Sequence, residues 1–248
     1  MRTIYILWLR QIKRYLRSKS RVFGSLAQPL LFLVALGYGL GPVFQKAGEG
    51  NYVQFLVPGV IGMAIIFSSV FSGIEIIWDK QFGFLKETLV APVSRVEIML
   101  GRTAGGATTS TMQGIIVFLI ATLIGFRAPS ALSVGLAVIL MFLIALLFTA
   151  LGTIIASQLD DMQGFQFVVN FLVMPLFFLS GALFPLSGLP SALAALTRID
   201  PLSYGIDAFR TALGGAPVFG LGLDLSVLIV LTAALVAIGS WLFSKIQI

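Results

Sequence analysis

Six stretches of the chain are apolar and almost free of charge, and each is long enough to cross a lipid bilayer. A membrane-spanning helix needs about 20 such residues. The runs are continuous and do not alternate with a period of two, so they predict helices and exclude an outer-membrane β-barrel. The pattern predicts an all-α integral membrane protein in which residues 1–248 form a single transmembrane domain. We place the spans at residues 24–44, 54–77, 104–126, 132–157, 163–183 and 225–244.

The longest polar interruption follows the second span and extends to Arg102. Ser94 and Glu97 have the spacing of a capping box, in which the serine hydroxyl accepts from the Glu97 amide and the glutamate carboxylate accepts from the Ser94 amide. Pro92 disfavours a helix at the residue before it. We therefore expect a helix leaving the second span, a break at Pro92, and a short capped helix that leads into the third span. The break is expected at Ala91 and Pro92, and the capped helix is expected to start after Ser94.

The first 21 residues contain basic side chains and no acidic ones. Apolar residues recur at helical spacing, and a basic stripe lies opposite, which predicts an interfacial amphipathic helix in the headgroup plane with its cations towards anionic lipid. The alternative is a cleaved signal peptide, but the charged region is too long and a full span follows it. The two stripes are Tyr5, Trp8, Leu9, Ile12 and Leu16, and Arg10, Lys13, Arg14 and Arg17.

The segment between the fifth and sixth spans, residues 184–215, is apolar but repeatedly broken by proline and glycine. We expect short helices here that re-enter the membrane, since irregular backbone at that depth is tolerated where protein or water covers it. Basic residues fix the orientation. With the N-terminus inside, twelve of the 16 lysines and arginines fall in cytoplasmic segments, which predicts that both termini are cytoplasmic and that residues 184–215 are external.

Composition excludes several classes of function. The chain is 58% hydrophobic and 10% charged, against about 25% charged in soluble domains. It has no histidine and no cysteine, which argues against a zinc site or a Ser–His enzyme. No lysine follows a glycine, so the phosphate-binding loop of an ATPase is absent from this polypeptide. The basic residues cluster beside the first span and predict no nucleic-acid partner.

Glu75 is the acidic residue inside a predicted span. It is either a carboxylate at the inner interface, paired with Lys80 or Arg102, or a buried group that couples ion movement to transport.

Two stretches resemble a known family. Residues 85–101, LKETLVAPVSRVEIMLG, are similar to the first cytoplasmic loop of the type-2 ATP-binding-cassette (ABC) exporter permeases. Residues 178–210, FLSGALFPLSGLPSALAALTRIDPLSYGIDAFR, resemble the external re-entrant segment of the same family. The six spans and the basic amphipathic start agree with it in order. Among its branches, the drug-exporter permeases look most similar.

The resemblance implies one permease of a half-exporter. It also implies a helix leaving the second span at residues 75–90 and a coupling helix at residues 94–101, within a cytoplasmic coupling region of residues 75–102. Two permease chains, either two copies or this chain with a related permease, would join two cytosolic ATP-binding subunits that hold ATP and Mg²⁺, so this chain would need no cofactor of its own. The alternative for the charged residues is a solvated loop. The residues expected to contact the ATPase are Glu87, Thr88, Pro92, Ser94, Arg95, Glu97, Asp160 and Asp161.

The substrate path is expected along the fifth span, for a drug, a lipid or a lipid-linked compound. The alternative is that its side chains face lipid or pack between helices. The candidates for this path are Phe165, Phe167, Asn170, Phe171, Phe177 and Phe178. An outer gate is expected around Pro185 and Tyr204, where Asp207 and Arg210 are spaced to form a bracing ion pair.

Two rival functions remain open from the residues alone. An ion-coupled carrier or channel would work without an ATPase, but it would need an ionisable site near mid-membrane. A membrane enzyme would need a convergent nucleophile, base or metal cluster, whereas the acids here are scattered over different loops.

Overall fold

The computed structural model describes residues 2–46, 51–83, 93–186 and 188–244, and every regular element in these ranges is an α-helix. Six candidate membrane spans are present, with α3 and α4 together forming the second. This confirms the predicted all-α fold with six transmembrane helices. The helices are α1 (Arg2–Arg17), α2 (Lys19–Lys46), α3 (Tyr52–Phe71), α4 (Ile74–Gln81), α5 (Arg95–Ile124), α6 (Ala131–Gln158), α7 (Met162–Leu179), α8 (Ser191–Ile199), α9 (Pro201–Ala212) and α10 (Leu221–Ser244).

The second span is the centre of the bundle. In the most apolar 18-residue stretch of this span, 78% of the residues are buried. The corresponding share is 22% for the first and fifth spans and 11% for the sixth. Helix α3 packs against α2, α5 and α6, while α10 packs against α6 and α9. The helices α2, α7 and α10 therefore leave large apolar faces that lipid or another chain must cover.

Two backbones meet where the second span turns from α3 into α4. A Cβ atom on Gly152 of α6 would lie 2.3 Å from the carbonyl oxygen of Val70, and one on Gly73 would lie 2.3 Å from the carbonyl oxygen of Gly152. Such contact requires residues without side chains, as at close helix crossings in membranes. The turn and α6 are thus in direct backbone contact.

Helix α1 packs along the first half of α5. A Cβ on Gly101 would lie 2.9 Å from the Cβ of Leu7, and Gly105 is similarly close to Gln11. The indole Nε1 of Trp8 donates to the hydroxyl of Thr108 at 2.9 Å. The small residues of the third span therefore accept the predicted amphipathic helix, whose position relative to the headgroups stays a prediction.

The third span begins earlier than predicted. Ser94 is the N-cap of a single helix that continues to Ile124, so the capped helix expected at 94–101 is continuous with the third span. Nothing between these residues stops a helix, because glycine is tolerated in membrane helices. The fifth span ends at Leu179, short of residue 183, because Gly181 adopts a left-handed conformation, with φ of 75°, just beyond the helix.

The segment before the last span forms the two short helices α8 and α9. Asp200 lies between them and caps α9, its carboxylate accepting from the Leu202 amide at 2.9 Å, with Pro201 in the first helical position. Helix α9 is largely buried against α10, α6 and α3. The segment is thus part of the bundle, and its re-entry into the membrane stays a prediction.

Candidate functional site

An ion-pair network around a buried carboxylate joins three helices at one end of the bundle, which we call the α1 end. Asp79 of α4 accepts from Nη2 of Arg102 on α5 and, at 3.1 Å, from Nη2 of Arg10 on α1. Asp79 and Arg102 are both buried. A buried carboxylate is tolerated when its oxygens are paired and hydrogen-bonded, and here each oxygen has its own guanidinium. Arg10, Asp79 and Arg102 form what we call the three-helix network.

Glu75 lies one turn before Asp79, and its partner differs from both residues expected. Arg14 of α1 approaches it at 3.8 Å, and the same guanidinium lies 5.2 Å from the ring of Trp78. Neither Lys80 nor Arg102 fills this role. Two arginines of the basic stripe on α1 therefore face acids of α4 while staying partly exposed, and their contact with lipid stays a prediction.

Lys80 caps the C-terminal end of α6. Its ammonium donates to the carbonyl oxygens of Ser157 at 2.8 Å and Leu159 at 3.0 Å, and it pairs with Asp160 at 3.1 Å. A cation at this position satisfies free carbonyls and favours the helix dipole. Asp161 is the N-cap of α7 and accepts from the Gly164 amide. Both aspartates expected to meet the ATPase are exposed and hold the α6–α7 corner.

The start of α5 carries three of the residues expected to contact the ATPase. The Ser94 hydroxyl accepts from the Val96 amide at 3.3 Å, one residue before the predicted Glu97 amide. The reciprocal contact of the capping box, from the Ser94 amide to the Glu97 carboxylate, stays a prediction. Arg95 is partly exposed beside them. The other expected contacts, Glu87, Thr88 and Pro92, lie outside the described residues.

The candidates for the substrate path on α7 separate onto two faces. Phe165 and Phe177 are buried, with ring centroids 6.2 Å from Phe71 and 6.4 Å from Phe32, respectively. The exposed face consists of Phe167, Asn170, Phe171 and Phe178, and we call it the open α7 face. Phe165 and Phe177 therefore pack between helices, which was the alternative interpretation. A single cavity lined by all six residues is not formed.

The residues expected at the outer gate lie at the opposite end, which we call the α9 end, but Asp207 and Arg210 do not pair. The Asp207 carboxylate accepts from the amides of Val218 at 2.9 Å and Phe219 at 2.7 Å and so holds the loop before α10. Arg210 instead donates from Nη2 to the Gly181 carbonyl at 2.9 Å. The bracing role of Asp207 is local, and the predicted Asp–Arg pair is wrong.

Two other expected gate residues also have local partners. Tyr204 donates from its hydroxyl to the Arg198 carbonyl at 2.7 Å, and its ring centroid lies 4.8 Å from that of Phe219. Pro185 lines the same cavity as Arg210. The structure thus brings Pro185 and Arg210 together and places Tyr204 with the loop before α10.

Burial shifts the acidity of two groups in this segment. It raises the pKa of Asp200 to about 7, although the hydrogen bonds from Leu202 and Ser203 favour the ionised form. It lowers the pKa of Arg210 to about 10, partly offset by the negative charge of Asp207. Both groups would titrate closer to neutral pH than usual.

The three-helix network was missed from the sequence. Its signal is present in the distribution of charge: the first helix has an excess of arginines, and α4 carries two acids four residues apart, on one helical face. A cavity of about 410 Å³ between α2, α3 and α5 was also missed. Its polar lining residues are Tyr15, Ser25, Gln28, Ser68 and Gln113. In the described ranges, no group of three acids comes together to hold a metal ion.

The chain is similar to one described protein family and to several named proteins. The family model described as ABC-2 type transporter matches residues 2–213. Nodulation protein J of Rhizobium meliloti (strain 1021) is 31% identical over 84% of this chain and 80% of its own length. A putative transport permease, ycf38, of Cyanophora paradoxa is 30% identical over 84% and 72%. The inner membrane transport permease YadH of Escherichia coli (strain K12) is 27% identical over 92% and 89%.

Proposed function

The chain belongs to the ABC-2 type transporter family, and on this premise we propose that it is the permease subunit of an ATP-driven exporter. Permeases of this family are non-catalytic membrane subunits, and membership implies an ATP-binding partner. The proposed substrate is hydrophobic or amphipathic, a class that includes drugs, lipids and lipid-linked compounds. ATP and Mg²⁺ would be bound by the partner.

The three-helix network is the observation that carries this proposal. It joins α1, the second span and the third span at the α1 end through one buried carboxylate. A force applied at the start of α5 therefore acts on three helices together, as a rigid body that can rotate or shear against its neighbours. Such a rigid body suits a permease that receives movement from a docked ATPase.

We assign the α1 end to the cytoplasm. Twelve of the 16 basic residues lie in segments that this orientation places inside, as the positive-inside rule requires. Both termini would then be cytoplasmic in a multi-pass protein of the inner, plasma membrane. The α9 end, with Pro185, Tyr204, Asp207 and Arg210, would form the outer gate.

The ATPase would dock at the α1 end around the start of α5 and the α6–α7 corner. These regions carry exposed or partly exposed charge at Arg95, Glu97, Asp160 and Asp161, and the corner is attached to α4 through Lys80. Glu87, Thr88 and Pro92 would complete the docking surface with Ser94. Movement of the docked subunit would reach the second and third spans through these contacts.

A second permease chain, either another copy or a related permease, would cover the open α7 face. Phe167 is 73% exposed and Phe171 is 77% exposed, with Asn170 between them. Two such faces opposed across an axis would enclose a path with aromatic walls and a polar amide, suited to an amphipathic substrate. Membrane lipids would cover the exposed sides of α2 and α10.

Copurification tests the docking surface. Glu87→Ala combined with Arg95→Ala should lower recovery of the ATP-binding subunit with the tagged chain, because two charged contacts are removed from the interface. ATP turnover stimulated by the permease should fall with it. The matched control is Arg127→Ala, an exposed arginine near the end of α5 away from α1, which should leave recovery unchanged.

Transport in vesicles separates the proposal from its rival. Substrate movement should require both ATP and the ATP-binding subunit. Transport by the purified chain alone, driven by an ion gradient, would favour an ion-coupled carrier and overturn the exporter assignment. Unchanged recovery of the ATPase with the double variant would remove the docking surface from the proposal.

A further inference from the structure

A cavity of about 530 Å³ opens at the α9 end, between the end of α2, the start of α3 and the loop after α9. Its volume lies in the range of small-molecule sites. Much of its wall is apolar, and the polar side chains are few. The apolar lining includes Phe44, Phe55, Pro58, Pro185 and Leu213, and the polar side chains are Asn51, Gln54 and Arg210.

Arg210 is the charged residue of this cavity. Its guanidinium carbon lies 4.0 Å from the centroid of the Phe55 ring, and Nη2 donates to the Gly181 carbonyl. Its Nε atom is buried and has no hydrogen-bond partner. Among the described residues, no carboxylate comes within 4.0 Å of it.

The nearest acid acts on this cation from a distance and makes no ion pair with it. Asp207, one turn earlier on α9, is directed to the amides of the loop before α10. A partly buried guanidinium without a counter-ion is costly, and an anion beside it recovers the lost interaction. Arginine can offer parallel donors to a carboxylate or phosphate group.

The two carboxamides add donors at the rim. The Asn51 oxygen caps α3 by accepting from the Val53 amide, which leaves its amino group available. Gln54 makes a long contact of 3.4 Å with the Gly125 carbonyl. An anion at Arg210 would therefore meet polar groups on one side and an apolar wall on the other.

We propose that this cavity binds the acidic group of an amphiphile, with Arg210 contacting the phosphate or carboxylate and the apolar wall accepting the adjoining chain. The ligand is either an anionic bilayer lipid or a free acidic amphiphile. The site needs neither the ATPase nor a second permease, so it is independent of the proposed transport function.

Binding to the purified full-length chain, without nucleotide or partner, tests this site. The probes are phosphatidylglycerol, phosphatidylcholine with the same acyl chains, octyl phosphate and inorganic phosphate, measured by native mass spectrometry in detergent. Phosphatidylglycerol should bind more tightly than phosphatidylcholine if the source is a bilayer lipid. Preference for octyl phosphate would indicate a free acidic amphiphile. Inorganic phosphate has no acyl or alkyl chain. If it bound as tightly as octyl phosphate and phosphatidylglycerol, the result would contradict a role for the apolar wall.

Variants assign the binding to the cavity. Arg210→Gln should weaken binding of the preferred anionic probe by about tenfold or more, as expected for loss of a charge-assisted contact. Gln54→Glu, which places an acid at the rim and leaves Arg210 in place, should also weaken it and guards against misfolding of the first variant. The control Arg198→Gln changes an exposed arginine of α8 and should have no effect.

Two outcomes would overturn the proposal. One is a preference for anionic probes that persists in Gln54→Glu and in Arg210→Gln. The other is an equal loss in Arg198→Gln, which would show that overall positive charge, and not this cavity, attracts the anion.

Discussion

At the scale of single residues, Asp79 makes the contacts that position α1. Its two carboxylate oxygens pair with arginines from two other helices, and the pair with Arg102 is fully enclosed. Replacing a buried ion network by apolar groups can be neutral, but removing one partner leaves charge buried and unpaired. The network therefore affects stability mainly through the buried, unpaired charge that the loss of one partner would leave.

Asp79→Asn should destabilise the protein by about 3–5 kcal/mol, because two guanidiniums lose their counter-ion. The matched control is Asp160→Asn, which breaks an ion pair whose carboxylate is 92% exposed and should cost about 1 kcal/mol or less. Thermal unfolding of both variants in the same detergent measures the difference. Equal stability of the two variants would contradict the structural weight given to Asp79.

At the scale of elements, the contact between α6 and the turn after α3 fixes how the second and fourth spans cross. Backbone atoms of Val70 and Gly152 lie so close that no side chain fits between them. This contact brings Lys80 within reach of the end of α6, since α4 leaves the turn directly towards Ser157. The position of the α6–α7 corner thus depends on Gly152, about two helical turns before it.

Gly152→Ala should lower stability by roughly 1–3 kcal/mol, the usual cost of an added methyl group that forces a backbone shift. Gly135→Ala on the same helix is its control, because no atom lies within 4 Å of the added methyl group there. It should leave stability unchanged or raise it by about 0.5–1 kcal/mol. Unfolding curves for the two variants give the comparison, and a neutral Gly152→Ala would show that the helices can separate without cost.

The sequence predicts elements better than the faces that they present. The spans follow from continuous apolar runs, because hydrocarbon imposes that pattern on any crossing helix. The amphipathic stripe of α1 does not reveal whether its cations meet lipid or protein, so the pairs of Arg10 and Arg14 were missed. On α7 the buried residues Phe165, Val169, Val173 and Phe177 are spaced by four and so lie on one helical face. This spacing indicates the buried face, whereas residue type does not, because apolar residues occur on both faces.

At the scale of the whole molecule, burial is uneven. The second span is enclosed, whereas the fifth and sixth present most of their surface outwards. The candidate path is divided accordingly, since its exposed half, the open α7 face, has no partner within the described part of this chain. The spacing by four marks the buried half in the sequence, but it does not show what covers the exposed half, because which side of a span faces another chain depends on the assembly.

Cross-linking tests whether a second copy covers the open α7 face. The chain contains no cysteine, so Phe171→Cys introduces the sole thiol. In a two-fold symmetric pair, a residue near the axis faces its own counterpart, and a short bis-maleimide should join two copies in membranes. Val230→Cys on α10, 64% exposed, is the control and should remain monomeric. Equal yields at both positions would indicate random collision, and absence of the product at Phe171→Cys would argue against a pair of identical copies at this face.

The contacts of α1 also constrain how the protein is made. Arg10 binds a residue 69 positions later in the chain, and Trp8 binds one 100 positions later. Helix α1 precedes these partners in the chain, so it must wait at the membrane surface until the second and third spans have been inserted. Its basic residues can be held by anionic headgroups during that interval, so lipid composition should influence the yield of correctly inserted protein.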